Sequence, residues 1–436
     1  MSTTEITHVE LYPVDSERLW GFFIDFPTPG SKREVYDFEL AGWVLGKHSP
    51  VLGIEVCASD GSVRKIPVTL PRPDISRHYP HVPLPKDVGF WSPISVIGLP
   101  EEFELVVEAV LEDREHVPLG RIGGRHRSIQ SHFEPSIRPL LVTSLGRTGT
   151  TWLMRLLAEH PNIVAYRAYP YEMRAGRYWL QVMGALTEPA SQAQSSSRIT
   201  TTNMQWWVAH PPFSRTARSA DPRLQDWFGR RFVEQAAAMC QQSLDLCYRE
   251  VAANQNQLTP VYFAEKHLPD EVPGIVWELY PRAREIFLVR DFRDMLCSIR
   301  AFNKKRRSLG FGRDMAASEQ EYVVNLGKEA LRLLKSWKAR NARACLVRYE
   351  DLILQPGKTL KHVLQYLELE SEDSWVNEMI RTASLDTPQL QEHRTTASVH
   401  ESVGRWRSDL DTQAQRMCED AFGTSLSAFG YPPEGY

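Results

Sequence analysis

Two hydrophobic rhythms divide this chain near residue 130. Upstream, short runs of alternating or β-branched residues recur at Tyr36–Leu45, Val51–Ala58, Val63–Leu70, Ile94–Ile97 and Glu104–Leu111. Asp60-Gly61, Pro71-Arg72-Pro73 and Leu99-Pro100 punctuate them in the manner of antiparallel turns. Six or seven such strands predict an all-β, sandwich-like domain over residues 1–130. Arg121–Pro135, with its Gly123-Gly124 pair, is the expected linker. Downstream the rhythm changes. Apolar runs at Leu140–Leu145, Ile163–Tyr166, Val261–Glu265, Ile286–Arg290 and Ala344–Val347 are separated by longer helical patterns. Residues 137–436 therefore read as an α/β domain, a parallel sheet flanked by helices. Ligands of such sheets bind beyond the carboxyl ends of the strands, where Arg147, His267 and Arg290 fall.

Pro139–Leu157 runs from an apolar strand through a glycine-punctuated basic loop directly into an amphipathic helix. Gly146 and Gly149 permit close backbone approach, Arg147 carries the charge, and Thr148, Thr150 and Thr151 lead into a helix whose free N–H groups attract phosphate. Trp152, Leu153, Leu156 and Leu157 fall at helical spacing. No Gly-Lys-Ser/Thr closes the loop, so it is P-loop-like without being a Walker A motif. A second strand-to-helix unit, Arg284–Arg300, places Arg290 at the strand end and Ser298 two helical turns later, where both can face one phosphate. Pairing of Arg290 with Asp291 or Asp294 is the structural alternative. A third unit is Ala342–Leu352, a strand leading towards a helix opened by Pro356, and Gly404-Arg405-Trp406-Arg407 follows it.

Ser144–Trp152 resembles the 5′-phosphosulfate-binding loop of the sulfotransferases that use 3′-phosphoadenosine-5′-phosphosulfate (PAPS). The resemblance covers roughly residues 137 to 430. It implies the sulfotransferase fold, and it assigns Arg147 to Trp152 to the 5′ side of the donor and Arg290 with Ser298 to its 3′-phosphate. Gly404, Arg405 and Arg407 resemble the family's closing Gly-x-Trp-Lys/Arg element. Val399-His400-Glu401 stands where the animal cytosolic enzymes have Arg-Lys-Gly, and Arg147 stands where they have a lysine. Arg405 and Arg407 either bring charge to the phosphate or are solvated beside Asp409.

Sulfuryl transfer needs a base for the acceptor proton and positive charge at the leaving phosphate. His267, in Ala264–Pro269, resembles the family's catalytic histidine, and Lys266 beside it resembles the lysine near the sulfuryl group. Glu172, in Ala168–Arg174, lies where carbohydrate-directed members place a catalytic carboxylate. Both remain candidates for the base, with His267 preferred. A backbone hydrogen bond for His267 and an ion pair with Arg174 for Glu172 are the structural alternatives.

Composition narrows the partners. The chain has 436 residues, 42% hydrophobic and 24% charged, and its formal net charge of −3 argues against wholesale nucleic-acid binding. Six cysteines show no metal or CxxC spacing, which implies a reduced, cytoplasmic protein with no metal, and no apolar run is long enough to span a bilayer. The expected activity is transfer of a sulfuryl group from PAPS to a hydroxyl or amine of a small-molecule or carbohydrate acceptor. The alternatives are an inactive nucleotide-binding relative, a P-loop kinase, or a carbohydrate-binding protein acting through N-terminal aromatics such as Trp43, Phe90 and Trp91. The polar stretch Ala190–Thr202 reads as a loop, and the aromatic segment Asn203–Phe213 as a lid or a surface insertion.

Overall fold

The computed structural model describes residues 2–58, 63–82, 85–189, 227–269, 274–385, 387–388, 391 and 394–431. The expected turn at Asp60-Gly61, the loop Ala190–Thr202 and the candidate lid Asn203–Phe213 lie outside them. The chain divides into two compact units. One holds the described residues of 1–134, 178–243 and 273–281, and the other those of 135–177, 244–272 and 282–436.

In the first unit the described residues form β1 (Thr4–Leu11), β2 (Leu19–Phe26), β3 (Lys32–Arg33), β4 (Asp37–Gly46), β5 (Val51–Ala58), β6 (Val63–Pro67), β7 (Gly89–Ser95), β8 (Glu102–Leu111) and β9 (His116–His126). They build two antiparallel sheets, β3-β1-β9-β8-β5-β6 and β2-β4-β7. Phe38 of β4 and Phe103 of β8 stack with ring centroids 6.2 Å apart and join the two. Two features depart from the expected pattern. A short helix, Pro73–His78, interrupts the strands, and it buries Ile75 against Leu45 and Val88. The expected linker begins as strand, because Arg121–His126 completes β9. Gly124 is an adaptation to close packing: a Cβ there would lie 2.4 Å from the buried Phe103 ring and 2.8 Å from the Glu5 carbonyl oxygen. Phe90 is buried at 1% exposure, so it is a core residue and offers no ring to a sugar.

The second unit contains all five apolar runs as parallel strands: β10 (Arg138–Thr143), β11 (Ile163–Ala165), β12 (Tyr262–His267), β13 (Arg284–Val289) and β14 (Ala344–Arg348), in the order β11-β12-β10-β13-β14. Its helices include α1 (Thr150–Ala158), α2 (Phe292–Arg306), α3 (Glu319–Arg340), α4 (Tyr349–Leu354), α5 (Pro356–Tyr366), α6 (Asp373–Ala383) and α7 (Thr412–Ala428). The third strand-to-helix unit turns earlier than expected, since α4 starts at Tyr349, immediately after β14. Alternation along each strand feeds two cores. Leu140, Val142, Ile286 and Leu288 pack with Leu153, Leu156 and Leu157 of α1. Phe287 and Val289 pack on the opposite face with Leu333 of α3 and Phe422 of α7. Each fully buried leucine or phenylalanine contributes about 1.5–3 kcal/mol, so both sheet faces are held shut and the strand ends become the place for chemistry. No helix among the described residues is long and apolar enough to cross a membrane.

Asp245, only 4% exposed, fixes the chain as it approaches β10. One carboxylate oxygen accepts from Ser136 N at 2.7 Å and Ile137 N at 3.1 Å, and the other accepts from the Ser136 hydroxyl at 2.8 Å. Asp245→Ala leaves these donors unsatisfied. A loss of about 2–3 kcal/mol in unfolding free energy is expected, read as a lower urea midpoint; an unchanged midpoint would show that the anchor carries no stability.

Candidate active site

The loop after β10 is shaped by two residues of positive φ, Arg147 at 65° and Gly149 at 93°. Gly149 is the N-cap of α1, and its own side has no room: a Cβ there would lie 2.3 Å from the Tyr349 ring. The Thr148 hydroxyl donates back to the Leu145 carbonyl at 2.8 Å and closes the turn. The chain thus arrives at α1 with the Thr150 and Thr151 N–H groups ahead of the first intrahelical bond, which Trp152 N makes to the Gly149 carbonyl at 3.0 Å, and both threonines line a cavity of about 420 Å³.

Arg147, Arg290 and Ser298 line the same cavity, together with Gly149 and Trp152. Arg147 Nε donates to Ser298 Oγ at 3.2 Å, and its guanidinium lies 4.4 Å from the Phe302 ring centroid. Arg290 is 3% exposed; Nη1 donates to the Arg147 carbonyl at 3.0 Å, Nη2 donates to the Ser402 carbonyl at 2.6 Å, and Nε is buried without a partner among the described residues. The Tyr349 ring lies 4.5 Å beneath its guanidinium. Burial, and then the charge of Arg290, push Arg147 down to about 10. Two cations that disfavour one another at the head of a helix define a site that an anion stabilises. The alternative partners of Arg290 are engaged elsewhere, because Asp291 pairs with Arg293 at 2.8 Å and Asp294 accepts from backbone amides.

The closing element is arranged differently from expectation. Gly404, Arg405 and Arg407 are not among the cavity-lining residues, whereas Arg394, His400 and Ser402, slightly upstream, are. Arg405 pairs with Asp409 at 2.6 Å, and Arg407 lies 4.7 Å over the Trp406 ring. Tyr349, in the third strand-to-helix unit, is given no site role by the sequence; it lines the cavity, and its hydroxyl lies 2.8 Å from Ser402 Oγ.

Strand alternation separates the two residues expected together at the end of β12. Lys266 is 6% exposed, and its Nζ donates to the Pro170 carbonyl at 2.5 Å, to Thr151 Oγ1 at 3.1 Å and to Glu172 Oε1 at 3.4 Å. It therefore ties Glu172 to the anion loop, and burial pushes it down to about 8. Glu172 is half-exposed, with Arg174 at 3.8 Å on its other side. His267 points to the opposite face of the strand, as a neighbour in a β-strand must. Neither ring nitrogen has a hydrogen-bond partner among the described residues, and Glu265 Oε2 lies 4.0 Å away. Burial, then Arg174, Arg177 and Arg340, push His267 down to about 3, so it stays neutral through ordinary pH. The alternation therefore sends Lys266 and His267 to opposite faces of the sheet.

Gly149→Ala tests the loop geometry. It forces a side chain into positive φ and into the Tyr349 ring, so a loss of about 2–4 kcal/mol in stability is expected by denaturant titration, while the same change at Gly357, with open space around it, costs far less. Equal effects at the two positions would contradict the close approach.

A family model described as the sulfotransferase family matches residues 139–373. Among solved structures, a mouse sulfotransferase complexed with PAP is 14% identical, over 68% of this chain and 86% of that one, with a TM-score of 0.35. A sulfotransferase from Mycobacterium avium is 14% identical over 70% and 80%, with a TM-score of 0.36. The sulfotransferase domain from the curacin biosynthetic pathway is 16% identical over 69% and 99%, with a TM-score of 0.37. No curated protein matches. The family model spans more than half of the chain, from β10 with its anion loop to the start of α6, and this protein belongs to the sulfotransferase family.

Proposed function

We propose that the protein transfers a sulfuryl group from PAPS to a hydroxyl or amine of a small-molecule or carbohydrate acceptor. The observation that carries this reading is the pairing of Arg147 and Arg290 in one cavity at the start of α1. The residues present suit the donor: Arg147 and the first turn of α1 would hold its 5′ side, Arg290 and Ser298 its 3′-phosphate, and the unpartnered Nε of Arg290 awaits an acceptor of hydrogen bonds. Bound there, PAPS supplies a sulfuryl group on a phosphate leaving group. Arg147 stabilises charge developing on that phosphate. Lys266, held at Thr151, brings a second positive charge to the same side of the strand. Glu172 beside it is the base this geometry favours, since a half-exposed carboxylate can meet an acceptor hydroxyl, whereas His267 is buried on the other face. A kinase reading is disfavoured by the loop itself, which has no Gly-Lys-Ser/Thr for a triphosphate.

The donor site is tested by Arg290→Ala. Affinity for adenosine 3′,5′-bisphosphate, measured by calorimetry, is expected to fall by about 1.5–3 kcal/mol, with adenosine 5′-monophosphate little changed, because only the former carries the phosphate that Arg290 would grip. Equal losses for both nucleotides would remove Arg290 from that role.

The base assignment is tested with sulfated-product assays across pH. Glu172→Gln is expected to lower turnover at least about 100-fold while nucleotide affinity survives, and His267→Gln, if it folds, to keep most activity. The free enzyme's kcat/KM is expected to fall as pH rises through about 8, where Lys266 loses its charge, and Lys266→Arg is expected to move that limb upward. An active Glu172→Gln with an inactive, folded His267→Gln would reverse the assignment.

A further inference from the structure

One buried carboxylate beside the nucleotide cavity has no part in the reading above. Asp294, in the first turn of α2, is fully buried. It makes no ion pair with Arg290, four residues before it. Its two oxygens are taken by two backbone amides of a distant segment: Oδ2 accepts from Gly404 N at 2.6 Å, and Oδ1 accepts from Trp406 N at 2.9 Å. Gly404 turns the chain at a φ of 72°, so that both amides face one carboxylate. The segment is secured again at the Trp406 ring, which lies 3.9 Å from the Arg293 guanidinium that Asp291 holds.

Just upstream, the same segment forms a wall of the cavity with His400 and Ser402. The Ser402 carbonyl accepts from Arg290 Nη2, and the Ser402 hydroxyl meets Tyr349. Asp294 therefore controls where the Ser402 carbonyl stands, and that carbonyl determines which edge of the Arg290 guanidinium remains for a ligand.

We propose that Asp294 is a positioning residue for the nucleotide site, seating the 402–406 segment so that its wall orients Arg290. This rests on the donor reading above. Burial pushes the Asp294 carboxyl up to about 6 against the opposing pull of the Trp406 amide and Arg290, so a carboxylate is retained here despite its desolvation. Asparagine at this position keeps the size but offers one acceptor in place of two, leaving one amide unsatisfied and the wall free to shift.

A double-mutant cycle tests the proposal, with adenosine 3′,5′-bisphosphate and adenosine 5′-monophosphate as calorimetric probes on the wild type, Asp294→Asn, Arg290→Ala and the double variant. Melting temperatures are followed in parallel. Asp294→Asn is expected to weaken the bisphosphate about 10- to 100-fold and the monophosphate by less than about threefold, and to add almost nothing in the Arg290→Ala background. Asp294→Glu, which keeps both acceptors, is expected to recover part of the loss and serves if the asparagine variant does not fold. Wild-type affinity in folded Asp294→Asn, or the same loss with and without Arg290, overturns the proposal and leaves Asp294 as a fold residue. A wild type that does not bind the bisphosphate brings down the donor reading, and the proposal with it.

Discussion

The site depends on keeping two guanidiniums in one small space. Arg147 and Arg290 are joined through the Arg147 carbonyl, and each rests on an aromatic ring, Phe302 or Tyr349. Burial first, and then the charge of Arg290, push Arg147 down, so the pair is unfavourable unless an anion joins it. The surroundings serve to hold the pair in place. Positive φ at Arg147 and Gly149 aims the loop, Ser298 meets one guanidinium, and the Ser402 carbonyl and the Tyr349 ring hold the other. Two hydrophobic cores on opposite faces of the parallel sheet make this frame rigid enough to hold cations where water alone would not.

The period of a β-strand divides the polar residues at the sheet's edge into two environments. Lys266 turns towards Thr151 and Glu172, in a partly solvated corner next to the anion loop. His267 turns to a closed polar layer containing Glu265, which burial pushes up to about 7 while it accepts from the amides of Ala175 and Gly176 and from the Tyr248 hydroxyl. One residue of register therefore separates Lys266, which faces Thr151 and Glu172, from His267, which faces the buried Glu265 layer.

The parallel sheet was legible in the chain because its strands, covered on both faces, are nearly continuous apolar runs, and all five appear within a few residues of their expected limits. The convergence of Arg290 and Ser298 was legible for a related reason, since Arg290 and the loop carrying Arg147 sit at strand-to-helix junctions and Ser298 lies two turns into the helix that follows Arg290. What escaped were features decided by distant contacts. Tyr349 matters because Gly149 and Ser402 approach it from segments far away in the chain, and no local spacing announces that. Gly123-Gly124 reads in the sequence as part of a linker, but the pair lies in β9, where Gly124 packs against the Phe103 ring across the sheet. His267 looked like a base by analogy of sequence, and its burial is a property of the face it turns to.

Binding of adenosine 3′,5′-bisphosphate in the presence of excess EDTA tests the central claim most directly. With Arg147, Arg290 and the start of α1 supplying the positive charge, calorimetry is expected to show saturable, one-to-one binding without a divalent cation, weakening as salt is raised. No binding in EDTA, or binding that appears only when magnesium is restored, would contradict the account.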